Sequence, residues 1–61
     1  MMFIEIKESR YGVKYYLNPS LISYIKYNIP NEWVVSYGGS EIFINDETLK
    51  KILAYGNIKI V

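Results

Sequence analysis

The chain has 61 residues, about half of them hydrophobic, with seven Lys or Arg against six Asp or Glu and a formal net charge of +1. It carries seven Tyr but no Cys and no His, which excludes disulfides, thiol nucleophiles, imidazole bases and the best transition-metal ligands. A single domain of this size buries only about 60% of the surface its unfolded chain exposes, so without a staple the expected remedy is a partner chain, most simply a second copy.

Residues 2–8 alternate, with Met2, Ile4 and Ile6 on one side and Phe3, Glu5 and Lys7 on the other, the period of a strand with one buried face. Ser9-Arg10-Tyr11-Gly12 supplies a turn, since Gly tolerates positive φ. Residues 13–17 form a second strand that points Val13, Tyr15 and Leu17 inward. Asn18-Pro19-Ser20 breaks it, because Pro cannot donate to a ladder and biases the preceding residue away from helix. Residues 21–27 resume an extended run, with Ile25 and Tyr27 on one parity and Ile22, Tyr24 and Lys26 on the other. Alternation alone does not decide which parity is buried at the start of that run.

Asn28-Ile29-Pro30-Asn31 is a second break, followed by Trp33-Val34-Val35-Ser36-Tyr37, whose β-branched and aromatic side chains suit a pleated surface. Gly38-Gly39-Ser40 makes a hairpin turn, as paired glycines reach the positive φ of the primed turns. Residues 41–45 return with Ile42 and Ile44 inward. At Asn45 or Asp46 the period becomes helical: a side-chain oxygen caps the first turn, Asp46 and Glu47 suit the positive end of the dipole, and Leu49, Ile52 and Leu53 share one face. Lys50 and Lys51 face water, Gly56-Asn57 stops the helix, and residues 58–61 are compatible with a sixth short strand. The fold class is therefore α+β: a small curved antiparallel meander of about five strands with one C-terminal helix, all within a single domain over residues 1–61.

With this alternation one sheet face holds Ile4, Ile6, Val13, Tyr15, Leu17, Ile25, Val35, Ile42 and Ile44, for the helix to cover. The other carries Phe3, Tyr16, Tyr24, Val34 and Phe43 among Glu5, Lys7, Lys14, Lys26 and Glu41. Aromatic anchors within a charged rim are the composition of a protein interface, and these five residues are the candidate site. The alternatives are a sheet curled tightly enough to enclose both faces, or tyrosines whose hydroxyls are simply solvated.

Nothing in the chain assembles a catalytic or metal site. Ser9, Ser20, Ser23, Ser36 and Ser40 have no imidazole to activate them, and the close acidic pairs are Glu5 with Glu8, on opposite faces of a strand, and Asp46 with Glu47, at a helix start. Gly38-Gly39-Ser40 lacks the spacing and Lys of a phosphate loop and joins two strands. Arg10, Tyr11, Tyr27 and Trp33 are ingredients for clamping a nucleotide, without forming a constellation. No cofactor is expected. Lys7, Arg10, Lys14, Lys26, Lys50, Lys51 and Lys59 are scattered along the chain, which argues against nucleic acid. Glu5, Lys7 and Glu8 interrupt the apolar start, so neither a signal-peptide core nor a bilayer span is expected, and the chain reads as cytoplasmic.

Three segments carry a family likeness. Residues 16–25 (Tyr-Leu-Asn-Pro-Ser-Leu-Ile-Ser-Tyr-Ile), residues 29–35 (Ile-Pro-Asn-Glu-Trp-Val-Val) and residues 38–45 (Gly-Gly-Ser-Glu-Ile-Phe-Ile-Asn) running into a helix resemble the small flagellar FlbD-like proteins. The similarity covers roughly residues 11 to 53, and a similar strand order occurs in LytTR-type DNA-binding domains and in short phage proteins. The resemblance implies a fold and a non-catalytic, regulatory or adaptor role; no functional residue carries over. The resulting expectation is a non-enzymatic, homo-oligomeric protein-binding module. The alternative is a small phage-type inhibitor of a host protein, or a binder that sequesters a small nucleotide.

Overall fold

Antiparallel pairing organises most of the chain in the computed structural model, which describes residues 2–61. The strands are β1 (Ile4–Lys7), β2 (Lys14–Leu17), β3 (Ile22–Ile29), β4 (Glu32–Tyr37) and β5 (Ser40–Ile44), followed by the helix α1 (Asp46–Leu53). The expected meander is divided into two sheets, β1-β2 and β3-β4-β5. Between them Pro19–Leu21 forms a 3-10 turn, capped by the Asn18 side chain, which accepts from the Ser20 N–H at 3.1 Å. The Pro expected to break the strand thus also starts the short turn that redirects it.

The core lies where the two sheets and α1 meet. Ile4, Ile6, Leu17, Ile25, Val35, Ile42, Ile44, Leu49 and Ile52 form one buried cluster, with Ile22, Trp33, Tyr37, Leu53 and Ile58 packed against it. Seven of the nine residues assigned to the inner face are in that cluster. Val13 and Tyr15 are not: they are 48% and 36% exposed, because α1 packs mainly against β1 and β4 and leaves this part of the inner side of β2 uncovered. Leu17, farther along β2, does reach the core.

The unassigned parity of β3 has a structural explanation. Ile22 pairs with Tyr37 and Tyr24 with Ser36, so Ser23 is an extra residue on β3 and a bulge. The bulge shifts the alternation by one, which lets both Ile22 and Ile25 face the core. A second irregularity, between Tyr27 and Ile29, inserts Asn28 just before the Pro30-Asn31 turn. Asn31 there adopts φ +62, a left-handed conformation that Asn reaches more readily than bulkier residues.

Gly38 and Gly39 take φ +53 and +87 in the two-residue turn between Tyr37 and Ser40, the signs required by a primed hairpin turn. Asn45 is the helix cap, accepting from the Thr48 N–H at 2.9 Å. Asp46, the other candidate cap, has a different role: its N–H donates to Asn31 Oδ1 at 3.1 Å, and its carboxylate accepts from Trp33 Nε1 at 2.8 Å. These bonds tie the start of α1 to the β3–β4 hairpin. Beyond α1, residues 58–61 make a single parallel bridge to β3 in place of a sixth strand, with Ile25 N–H donating to Lys59 and Val61 N–H donating to Ile25.

Candidate interaction surface

The five residues expected to share one aromatic face lie on two different sheets. Phe3 precedes β1 and Tyr16 is on β2; they are 53% and 60% exposed. Tyr24, Val34 and Phe43 lie on the outer face of the three-stranded sheet, where Lys26 pairs with Val34 and Val34 with Phe43. Tyr24 and Phe43 are half-buried, and Val34 is only 4% exposed.

The cover over Val34 is the β1–β2 connection. Glu8 and Val13 close this loop through an N–H to carbonyl bond of 2.8 Å, and the buried Glu8 carboxylate accepts from the Tyr11 N–H at 2.6 Å, an internal cap that explains why an acid is buried there. Ser9 N–H then donates to the Phe43 carbonyl at 2.9 Å, which fixes the loop against β5. Arg10 places its guanidinium 3.7 Å from the centre of the Phe43 ring and reaches Glu32 through Nε and Nη2, each 3.1 Å from a carboxylate oxygen. Glu32 lies two residues before Val34 on the same face of β4, and Phe43 lies opposite Val34, so the Arg10 side chain spans the neighbours of Val34. The Arg10 hydrogen bonds hold the Glu32 carboxyl below its ordinary range, and Glu32 in turn raises the Arg10 guanidinium.

Tyr27 and Trp33, two ingredients of the nucleotide clamp considered above, form a cross-strand pair with ring centres 5.3 Å apart and planes at 83°. Their geometry is that of an edge-to-face packing pair. Arg10 and Tyr11 sit on the loop over the outer face, and Arg10 is engaged with Glu32. A shallow cleft of about 480 Å³ lies between the β1–β2 ribbon and α1, lined by Glu5, Lys7, Lys14, Glu47 and Lys51 among others. Within it Lys14 Nζ lies 3.7 Å from Glu5, and Lys51 Nζ donates to the Glu5 backbone carbonyl. Among the described residues no group of three or more Cys, His, Asp or Glu could hold a metal ion, and no helix is long and apolar enough to cross a membrane.

Part of the exposed apolar surface lies on the ribbon itself, the rest at Leu21, Tyr27, Ile29, Ile60 and Val61 among others. Phe3 and Tyr16 are open on its outer face and Val13 and Tyr15 on its inner face, so β2 has apolar surface on both sides. Sequence alternation identified the first pair. The second was missed because alternation assigns a face without saying whether anything covers it. The fold and this surface together define a small α+β domain with an exposed aromatic edge ribbon. No family model, characterised protein or solved structure matches the chain.

Proposed function

We propose that the chain is a non-enzymatic, homo-oligomeric protein-binding module acting as a regulatory adaptor in the cytoplasm. The observation that carries this reading is the β1–β2 ribbon, with Phe3 and Tyr16 exposed on one face and Val13 and Tyr15 on the other. Burying them in an interface adds apolar contact that a chain of 61 residues is short of. The resemblance to FlbD-like proteins agrees with a role without catalysis, and the absence of Cys suits a reducing compartment.

Sedimentation velocity across a wide concentration range, on the wild type and on Tyr16→Lys, tests the proposal. The expected result is a mass of at least two chains, lowered by the substitution while the circular dichroism is retained. A wild type that is monomeric at every concentration overturns the homo-oligomer. If such a monomer captures a different protein through the same ribbon, the small phage-type inhibitor takes its place.

A further inference from the structure

The backbone of β2 specifies how two copies would meet. Glu8 N–H donates to the Val13 carbonyl, and the β1–β2 register continues this pairing as Lys7 with Lys14, Ile6 with Tyr15, Glu5 with Tyr16 and Ile4 with Leu17. In an antiparallel ladder, bonded and non-bonded pairs alternate, so Tyr15 and Leu17 bond to β1 whereas the N–H and C=O groups of Lys14 and Tyr16 point away from it. Asn18 follows the same parity, and its N–H does point away, donating to the Tyr37 hydroxyl at 2.7 Å.

Each of the other outer edges has at least one outward group with a partner. On β1, the Glu5 carbonyl accepts from Lys51 and the Ser9 N–H just beyond the strand is taken by Phe43; on β3, Ile25 is bridged by residues 59–61. Among the described residues, the outward groups of Lys14 and Tyr16 have no backbone partner, and β2 pairs with β1 alone. Unpaired edges flanked by apolar side chains recruit strands.

We infer that the β2 edge pairs with the β2 edge of a second copy, antiparallel, about a two-fold axis through Tyr15. This inference rests on the self-association proposed above and assigns it a register. With the axis at Tyr15, Lys14 of each chain faces Tyr16 of the other, and the two outward-facing pairs exchange four backbone hydrogen bonds. Charge selects this register. An axis at Lys14 would set the two lysines directly opposite each other, a destabilising arrangement. An axis at Tyr16 would bring Lys14 against Asn18, whose N–H is already held by Tyr37. At Tyr15 each Lys14 meets a Tyr16 ring, a cation–π contact, and each row across the joined sheet runs Lys7, Lys14, Tyr16, Glu5, with opposite charges at its ends. On the inner face Tyr15 meets its own copy, and Val13 faces Leu17.

The chain has no Cys, so single cysteines report the geometry cleanly. Tyr15→Cys would bring two Cα atoms to about 4.5 Å, the spacing of a non-bonded antiparallel pair and within the range a disulfide spans. Tyr16→Cys would leave its two copies roughly 8 Å apart, from two residues of strand rise plus the strand separation, too far to bridge. Mild oxidation of the full chain is expected to give covalent dimer with Tyr15→Cys and at least about tenfold slower dimer formation with Tyr16→Cys. A second variant, Tyr16→Pro, removes an outward N–H that β1 does not use, and is expected to return the mass of one chain with its circular dichroism retained. If wild type self-associates but the two cysteines cross-link equally, or Tyr16→Pro keeps the oligomer mass, the β2 pairing is overturned while self-association stands. A wild type that is monomeric throughout overturns both.

Discussion

The Arg10 guanidinium lies 3.7 Å from the Phe43 ring centre, so an aromatic that sequence alternation presents to solvent is roofed by a residue from the loop that joins the strands of the other sheet. The same guanidinium bonds Glu32, which makes Arg10 the link between the β1–β2 loop and β4. Folding therefore couples a cation–π contact to an ion pair across 22 residues of sequence.

The Glu32 side of this link predicts a dependence on pH. Its carboxyl is held below the ordinary range by the Arg10 hydrogen bonds, so its folded pKa lies below its unfolded one. A depressed carboxyl contributes stability fully at pH above the unfolded value and loses it as pH falls through the folded value. Glu32→Gln should be less stable than wild type at neutral pH, and the difference should shrink as the solution is acidified through and below the ordinary carboxylate range. Urea midpoints measured along an acid series check this; a constant difference would separate the ion pair from the stability of the fold.

The helix yields a graded prediction. Ile52 is fully buried among strand residues, while Leu53, on the same apolar stripe, is only partly buried. Ile52→Ala should cost about 2–5 kcal/mol, a large part of the roughly 5–15 kcal/mol typical of whole domains. Leu53→Ala should cost less. Denaturant midpoints of the two variants give the order, and a larger loss at Leu53 would mean that α1 is rotated from the described packing.

A third prediction concerns the β4–β5 hairpin. Gly39 has φ +87 with open space where a Cβ would stand, so replacing it tests backbone conformation without a clash. Gly39→Ala should destabilise by about 1–2 kcal/mol, the cost of a left-handed conformation for a residue with a Cβ. Thermal unfolding followed by circular dichroism reads it, and an unchanged midpoint would indicate that the turn relaxes to another type.

How much of this was legible depends on the range of the interaction. The alternation of Ile4 with Ile6 and of Ile42 with Ile44, the Gly38-Gly39 turn and a helix cap at Asn45 or Asp46 are local, and each was readable because neighbouring residues decide it; the choice of Asn45 came from the structure. The parity of β3 was not, because the bulge at Ser23 breaks the period on which the reading depends. The exposure of Val13 and Tyr15 was not legible either: it follows from where an eight-residue helix lands, on β1 and β4, which is a tertiary outcome. The Arg10 roof over Phe43 joins residues far apart in sequence, so spacing carries no trace of it.

That roof separates the aromatics of the candidate face into two kinds, and one pair of variants tells them apart. Phe43 supports the Arg10 side chain and is half-buried, so Phe43→Lys sets a second cation beneath the guanidinium and removes the ring it rests on. The variant should lose about 0.5–3 kcal/mol, the usual range of a destabilising point substitution. Tyr16 lies open on β2 and touches no comparable partner among the described residues, so Tyr16→Lys should leave the stability of the dissociated chain within about 0.5 kcal/mol, as exposed substitutions usually do. Self-association should respond in the opposite order at protein concentrations where both variants are folded: Tyr16→Lys places cations opposite Lys14 of the second copy and lowers the oligomer mass, whereas folded Phe43→Lys retains it. Equilibrium denaturation and sedimentation on the same samples make the comparison, and an oligomer lost with Phe43→Lys but kept with Tyr16→Lys would move the interface from the β2 edge to the outer face of the three-stranded sheet.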